Sequence, residues 1–374
     1  MTIFSVGPVE MYPRTRQILG TQEPYFRTPE FSEEVLAIRD AFLACVHAPH
    51  DAAFALLTAS GTGAMEAAVR NILAPGDAAL VVNAGSFGAR FVELCERAGA
   101  NVTEITLPFL EGDLTEDALE AAFARASESG AAPKALFVQA CETSSGRAFN
   151  LEALGRFTAE HGLLFVVDAV SAFLCDAIDM RAQHIDLVLT ASQKALSCSP
   201  GLSLIAAGPQ ARAAIERNHT HAPLYFDLPT CFANMERGQT PFTCAVANVL
   251  ALRERICGIA ERGVATENIL HTTRASLFRA AILAFPGTPF ILPGIPLSNA
   301  CTPLVFPDGG VPCAGGDGRM GAQEFYRRLR YDYGLTLCPS GGANADRLLR
   351  VGHMGNLEQS HYDALLGAMK EVLA

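Results

Sequence analysis

Between about residues 53 and 207 the chain alternates short aliphatic or β-branched runs with longer stretches in which apolar and polar residues mix. The runs are AFALLT, AALVVN, NVTEITL, KALFVQA, LLFVVDAV, IDLVLTA and LSLIAAG. Helix-like stretches such as GAMEAAVRNILAPGD and SFGARFVELCERAGA separate them. Apolar strands with helices between them predict a mostly parallel, doubly wound sheet, because a strand buried on both faces has no polar face to show. This is the pattern of an α/β domain.

Beyond it, PFTCAVANVLALRERICGIAERG places apolar residues near i, i+3, i+4 and i+7 and predicts a long helix, with a second helix from about residue 265. The last hundred or so residues alternate the runs CTPLVFP, LTLCP and LLRVGH with the helical stretches GAQEFYRRLRYDYG and LEQSHYDALLGAMKEVL. That alternation predicts a smaller C-terminal α+β domain. A Gly-rich stretch near 308–321, DGGVPCAGGDGRMG, follows a strand and precedes a helix, but it lacks the G-x-x-x-x-G-K-[ST] order of a phosphate loop. It reads as a flexible surface connection. Its function stays open.

At 374 residues the chain exceeds the size at which single cores stop growing, about 250–300 residues, so two domains are expected. Half of the residues are hydrophobic and 18% are charged, as in a globular protein. The net charge of −11 excludes a polyanionic partner such as nucleic acid, which needs clustered Lys and Arg. Eleven scattered cysteines without a C-x-x-C pair suit reduced, packed thiols and a cytoplasmic location better than a disulfide framework or a zinc site. The N-terminus is not patterned as a secretory signal, and no apolar run approaches the roughly 20 residues of a membrane span. The nine histidines, His219 among them, show no metal spacing, and no metal is expected.

In a doubly wound sheet ligands bind beyond the carboxyl ends of the strands. The run AFALLT exits into Ser60, Gly61, Thr62 and Gly63 at the start of a helix. Backbone N–H groups and the helix dipole would favour a phosphate there, although an ordinary N-cap by Ser60 or Thr62 explains the same residues. LLFVV exits into Asp168, a poorly solvated carboxylate that needs a partner unless it is itself a cap. IDLVLTA exits into Ser192, Gln193 and Lys194, twenty-six residues after Asp168, the length of one crossover. AALVVN leads to Phe87, and KALFVQA leads to the hydroxyls of CETSSG. An anion cradle, a carboxylate, a lysine and an aromatic face are the set that pyridoxal phosphate requires.

The segments ASGTGAMEAAVRNIL, NAGSFGARF, VVDAVSAF and TASQKALSCSPGLSLI resemble the class V aminotransferases of fold type I, in particular the alanine/serine–glyoxylate and 2-aminoethylphosphonate–pyruvate branch. The resemblance runs from VGPVEMYPRTRQIL to LLRVGHMGN. It implies a homodimer with active sites shared across the interface. It also implies an N-terminal segment, 1–20, lining the site, a large cofactor-binding domain, 21–262, and a small domain, 263–374. By that similarity Lys194 carries the cofactor and Asp168 pairs with its pyridine nitrogen, while Ser60, Gly61 and Thr62 receive the phosphate. Phe87 falls where many relatives stack a Trp, a residue this chain lacks. Ser144 matches a serine on the phenolic oxygen, Gln193 a residue near the phosphate, and Thr240 and Thr243 a segment that reaches the partner's phosphate. Arg350 matches the arginine that holds the substrate carboxylate, although a surface ion pair would explain it as well. Arg27 and Gly7 fall in the segment that lines the substrate pocket.

The expected reaction moves an amino group from a small donor of the alanine, serine or 2-aminoethylphosphonate type to a 2-oxo acid such as pyruvate or glyoxylate. The alternative on this fold is a lyase of the cysteine desulfurase type, which needs a reactive cysteine on a mobile loop; Cys313 and Cys338 are the residues to consider. A nicotinamide oxidoreductase is disfavoured, since no strand is followed by G-x-G-x-x-G with an acid about 20 residues on.

Overall fold

In the computed structural model, which describes residues 1–128, 132–218, 221–285, 289–313 and 318–374, the seven apolar runs become the strands of one sheet. These are β1 (Ala53–Leu57), β2 (Ala78–Asn83), β3 (Asn101–Thr106), β4 (Ala135–Gln139), β5 (Leu164–Asp168), β6 (Leu187–Ala191) and β7 (Ser203–Ala207). Their spatial order is β1-β7-β6-β5-β4-β2-β3. The pairs from β6 to β3 are parallel, whereas β7 runs antiparallel to both β1 and β6. A parallel pair needs a crossover, usually a helix, and the segment between β6 and β7 contains turns but no helix. The chain therefore doubles back at that point.

Alternate strand residues feed two cores. Phe54, Leu56, Val138 and Val167 pack with α1 (Pro29–Cys45) on one face, while Ala55, Phe137 and Val166 pack with α2 (Gly61–Ile72) and α3 (Ser86–Arg97) on the other. The helix α1 starts where Thr28 accepts the Phe31 N–H at 3.2 Å and Pro29 takes the first helical position, a favourable start on both counts. The long helix α4 (Val246–Arg262) packs beside α1 through Val249, Leu252 and Ile256, and α5 (Val264–Leu283) leads to the C-terminal part.

There a second antiparallel sheet forms from β8 (Cys301–Val305), β9 (Cys338–Pro339) and β10 (Leu348–Gly352), in the order β8-β10-β9. The helices α6 (Ala322–Tyr333) and α7 (Gln359–Leu373) complete a third core with Leu304, Phe325, Leu349 and Met369. Phe4 belongs to this core too, because Thr2–Ile3 pairs with Leu335–Thr336. Val6 and Val9 then enter the core of the main sheet, so the N-terminal segment threads from one unit to the other. The Gly-rich stretch differs from a purely flexible connection: Val311–Pro312 pairs antiparallel with Arg319–Met320. Residues 314–317 of that stretch, and His219, lie outside the described residues.

Candidate active site

The carboxyl ends of β1, β5 and β6 deliver their following residues to one cavity of about 300 Å³. Of the residues expected from the sequence, Gly7, Ser60, Gly61, Thr62, Phe87, Asp168, Gln193 and Lys194 line it. Asp168 closes β5 and is buried; its Oδ1 accepts the Val170 N–H at 2.7 Å. Burial pushes its carboxyl up to about 7, against the pull of the Val170 N–H and the Lys194 charge. The Glu142 charge adds to the upward push.

Lys194 is 8% exposed, and its Nζ donates to the Val6 carbonyl at 2.5 Å. Burial pulls its pKa below the usual lysine range, while the Cys141 and Cys301 thiols and Asp168 act in the opposite direction. The N-terminal segment can cross this side chain only as glycine. A Cβ on Gly7 would lie 2.7 Å from Lys194 Cδ, and the Gly7 φ of 123° is one that other residues avoid.

At the start of α2, Ser60 makes no side-chain cap, which leaves the first N–H groups of the helix facing the cavity without that partner. Gly61 is required by close approach, since a Cβ there would lie 2.8 Å from Val170 Cγ2. Arg90 Nη1 donates to Thr62 Oγ1 at 3.1 Å, and its guanidinium lies 4.9 Å from the centre of the Phe87 ring. Gln193 Oε1 is buried without a partner among the described residues.

The start of α3 is arranged differently. Glu142 Oε2 accepts the N–H groups of Phe87 and Gly88 at 2.9 and 3.0 Å, and Oε1 accepts the N–H and hydroxyl of Ser144 at 3.0 and 2.5 Å. Ser144 Oγ in turn accepts the Ser86 N–H at 3.1 Å. Ser144 is thus engaged in this cap, and it is the preceding residue, Thr143, that lines the cavity.

Arg350, on β10, donates to the carbonyls of Thr143, a lining residue, at 3.1 Å and Pro339 at 2.9 Å, so it is tied to the cavity wall without being among the lining residues. Arg27 is turned elsewhere: it donates to Gln239 Oε1, Thr240 O and Pro241 O at 2.9, 2.8 and 3.1 Å. Thr240 Oγ1 donates to Phe242 O at 2.8 Å, and neither Thr240 nor Thr243 lines the cavity. Cys313 donates to the Gly318 carbonyl in the hairpin, and Cys338 sits in β9. Cys141 lines the cavity, but a hydrogen bond with the Cys301 thiol, together with burial, pushes its pKa well above the ordinary range, so it is no ready nucleophile.

Arg90, Glu142 and Thr143 were not singled out from the sequence. Arg90 had a usable signal, since it follows Phe87 by three on one helix and such residues share a face. Glu142 ends a two-residue strand and Thr143 opens the turn after it, too short a stretch for periodicity to say which side chain faces inward.

A buried lysine, a carboxylate with one donor among the described residues, an open helix start and a carboxamide oxygen beside the lysine with no partner among those residues fit pyridoxal 5'-phosphate. Fold and site together define a fold type I, pyridoxal-phosphate-dependent transaminase. The family described as aminotransferase class-V matches residues 20–280, well over half of the sequence, and the chain belongs to that family. An alanine–glyoxylate aminotransferase from Nostoc sp. superposes with a TM-score of 0.88 at 26% identity, over 100% of this chain and 95% of that one. The L-aspartate–glyoxylate aminotransferase of Paracoccus denitrificans is 26% identical over 360 residues, 95% of this chain and 86% of that one. A Synechococcus sp. protein named soluble hydrogenase, small subunit, is 28% identical over 369 residues, covering 98% and 91% of the two chains. No described helix is long and apolar enough to cross a membrane.

Proposed function

We propose that the protein transfers an amino group from a small donor, of the alanine, serine, aspartate or 2-aminoethylphosphonate type, to glyoxylate or pyruvate. The observation that carries this reading is the burial of Lys194 and Asp168 in one cavity beside the open start of α2. The names of the Nostoc and Paracoccus relatives support glyoxylate as the acceptor.

When bound, pyridoxal phosphate supplies an electron-withdrawing ring that makes the donor's α-proton acidic. Lys194 would hold the cofactor, and as a free amine its Nζ would take up the α-proton; burial favours the neutral, basic form that this needs. Asp168 holds a proton on the ring nitrogen, and a cation against it favours the ionised carboxylate. The N–H groups of Gly61 and Thr62 with the Ser60 hydroxyl receive the phosphate, and Gln193 supports them. Phe87 covers one face of the ring, kept in place by Arg90. We assign the contact with the phenolic oxygen to Thr143 in place of Ser144.

Arg350 binds the substrate carboxylate through N–H groups not used on Thr143 and Pro339, since a guanidinium carries five donors. Gly7 lines the donor's path, and Arg27 braces the 239–241 segment. We infer a cytoplasmic homodimer in which Thr240 and Thr243 reach the partner's phosphate, with 1–20, 21–262 and 263–374 as its segments. The eleven cysteines are all free, in keeping with a reducing compartment.

The test is a half-reaction. Loaded protein is mixed with each amino donor and its visible absorption followed. The band should bleach with a competent donor and return with glyoxylate or pyruvate. If no donor bleaches it, or if only elimination products form, the reading fails.

A further inference from the structure

Gln139 is the last residue of β4, is 1% exposed, and leaves both Oε1 and Nε2 without a hydrogen-bond partner among the described residues. Its place in the sheet is informative. Gln139 and Asp168 are register partners on adjacent parallel strands. The alternate residues Ala135 and Phe137 of β4, like Val166 of β5, face the α2 and α3 side, so strand alternation puts Gln139 and Asp168 side by side on that same face. Strands are spaced about 4.8 Å apart, well within the reach of a glutamine side chain.

The flanking polar side chain on the other side is Asn83, at the end of β2, and it is already committed. Asn83 Oδ1 accepts the Gly85 N–H at 3.1 Å, and Nδ2 donates to Glu104 Oε1 at 2.8 Å. Asp168 is not: Val170 meets its Oδ1, and no described group donates to Oδ2. A neutral donor at this spot fixes the plane of a carboxylate and favours its ionised form without adding a competing charge.

We propose that Gln139 is a positioning residue for Asp168, its Nε2–H donating to Oδ2 once the carboxylate is ionised against the ring nitrogen. This rests on the role given to Asp168 above. The buried carboxamide thus acts through Asp168 and touches neither substrate nor cofactor. An apolar residue of the same length would fill the space equally well and could not do this.

The experiment measures the affinity of cofactor-free protein for pyridoxal 5'-phosphate as a function of pH, by equilibrium dialysis, for wild type, Gln139→Met, Asp168→Asn and the double variant. Gln139→Met is expected to bind about tenfold more weakly near neutral pH, and the acidic limb due to Asp168 to move up by about one pH unit, a unit of pKa being a factor of ten. In the Asp168→Asn background the same exchange should change neither quantity. Gln139→Thr, too short to reach Oδ2, should reproduce the loss and serves if the Met variant does not fold.

If Gln139→Met keeps affinity and pH limb while its melting temperature rises, as relief of an unpaired buried amide predicts, Gln139 only packs the sheet and the proposal is overturned. If Asp168→Asn itself leaves affinity unchanged, the reading of Asp168 fails first, and this proposal with it.

Discussion

Two buried carboxylates stand at neighbouring strand ends, and they are solvated by the protein in opposite ways. Glu142 is wholly buried and accepts four hydrogen bonds among the described residues, three from backbone N–H groups and one from the Ser144 hydroxyl. Asp168, nearly as buried, accepts one among the described residues. The helix starts beside them differ in the same sense: α3 begins on the Glu142 carboxylate, whereas α2 begins on the cavity with no side-chain cap. Where donors and acceptors are matched within the chain, the fold is being held together. Where they are left over in a pocket, a ligand supplies the partner. On the proposed function Glu142 is architecture and Asp168 chemistry, although the two look alike as acidic residues after apolar runs.

Exchanging each carboxylate for its amide separates these roles. Asp168→Asn should lower kcat/KM for amino transfer by about 10²–10³-fold, the usual cost of one preorganised electrostatic partner, with little loss of stability. Steady-state kinetics and a thermal melt of the same sample check both halves. Glu142→Gln should do the reverse. It leaves buried donors facing an NH₂ group, for about 1–3 kcal/mol of stability measured by denaturant unfolding, with activity per folded molecule reduced far less than in Asp168→Asn.

The cofactor-free protein offers a third contrast, in pH. The Asp168 carboxyl, pushed up to about 7, holds its proton in the folded state when the unfolded chain has already lost it. The folded state binds more protons between about pH 4 and 7, so stability falls as pH rises across that window, by at most about 1.4 kcal/mol per unit from this group. Asp168→Asn should flatten the slope by that amount in pH-dependent melts. Glu142→Gln should shift the whole curve down and, by removing a charge that adds to the upward push on Asp168, end the Asp168 slope at a lower pH. The smallest effect is expected from Arg90→Met, which removes a cation from the Phe87 ring and a hydrogen bond from Thr62. About 0.5–1 kcal/mol of cofactor affinity should be lost, read by dialysis at fixed pH.

How far this contrast could be read from the amino acids depends on the kind of signal each residue leaves. Most strands of the central sheet were legible because burial on both faces writes an uninterrupted apolar run, while the edge strand β3, with only Ile105 buried, showed itself by β-branched residues instead. The direction of β7 was not, since such a run is the same forwards and backwards; the helix-free connection before it is the only trace. Lys194 and Asp168 were legible as charges placed against a strong apolar background. Glu142 sits in CETSSG, where a solvated turn and a buried cap have the same composition. The same ambiguity hid that Thr143 and not Ser144 lines the cavity, because a turn has no period. Arg27 meets Thr240 across more than two hundred residues, a pairing that local pattern does not encode. Gln139 looked like a polar strand end, and only the register with Asp168 makes it notable.

The central claim is that Lys194 is the residue on which the cofactor is held. Borohydride reduction of the loaded protein, followed by peptide mass mapping, tests it most directly. The account predicts that the pyridoxyl phosphate mass is fixed on Lys194 and that Lys194→Ala takes up no label while retaining its fold. Labelling of Lys134 or Lys370, or full labelling of Lys194→Ala, would contradict it.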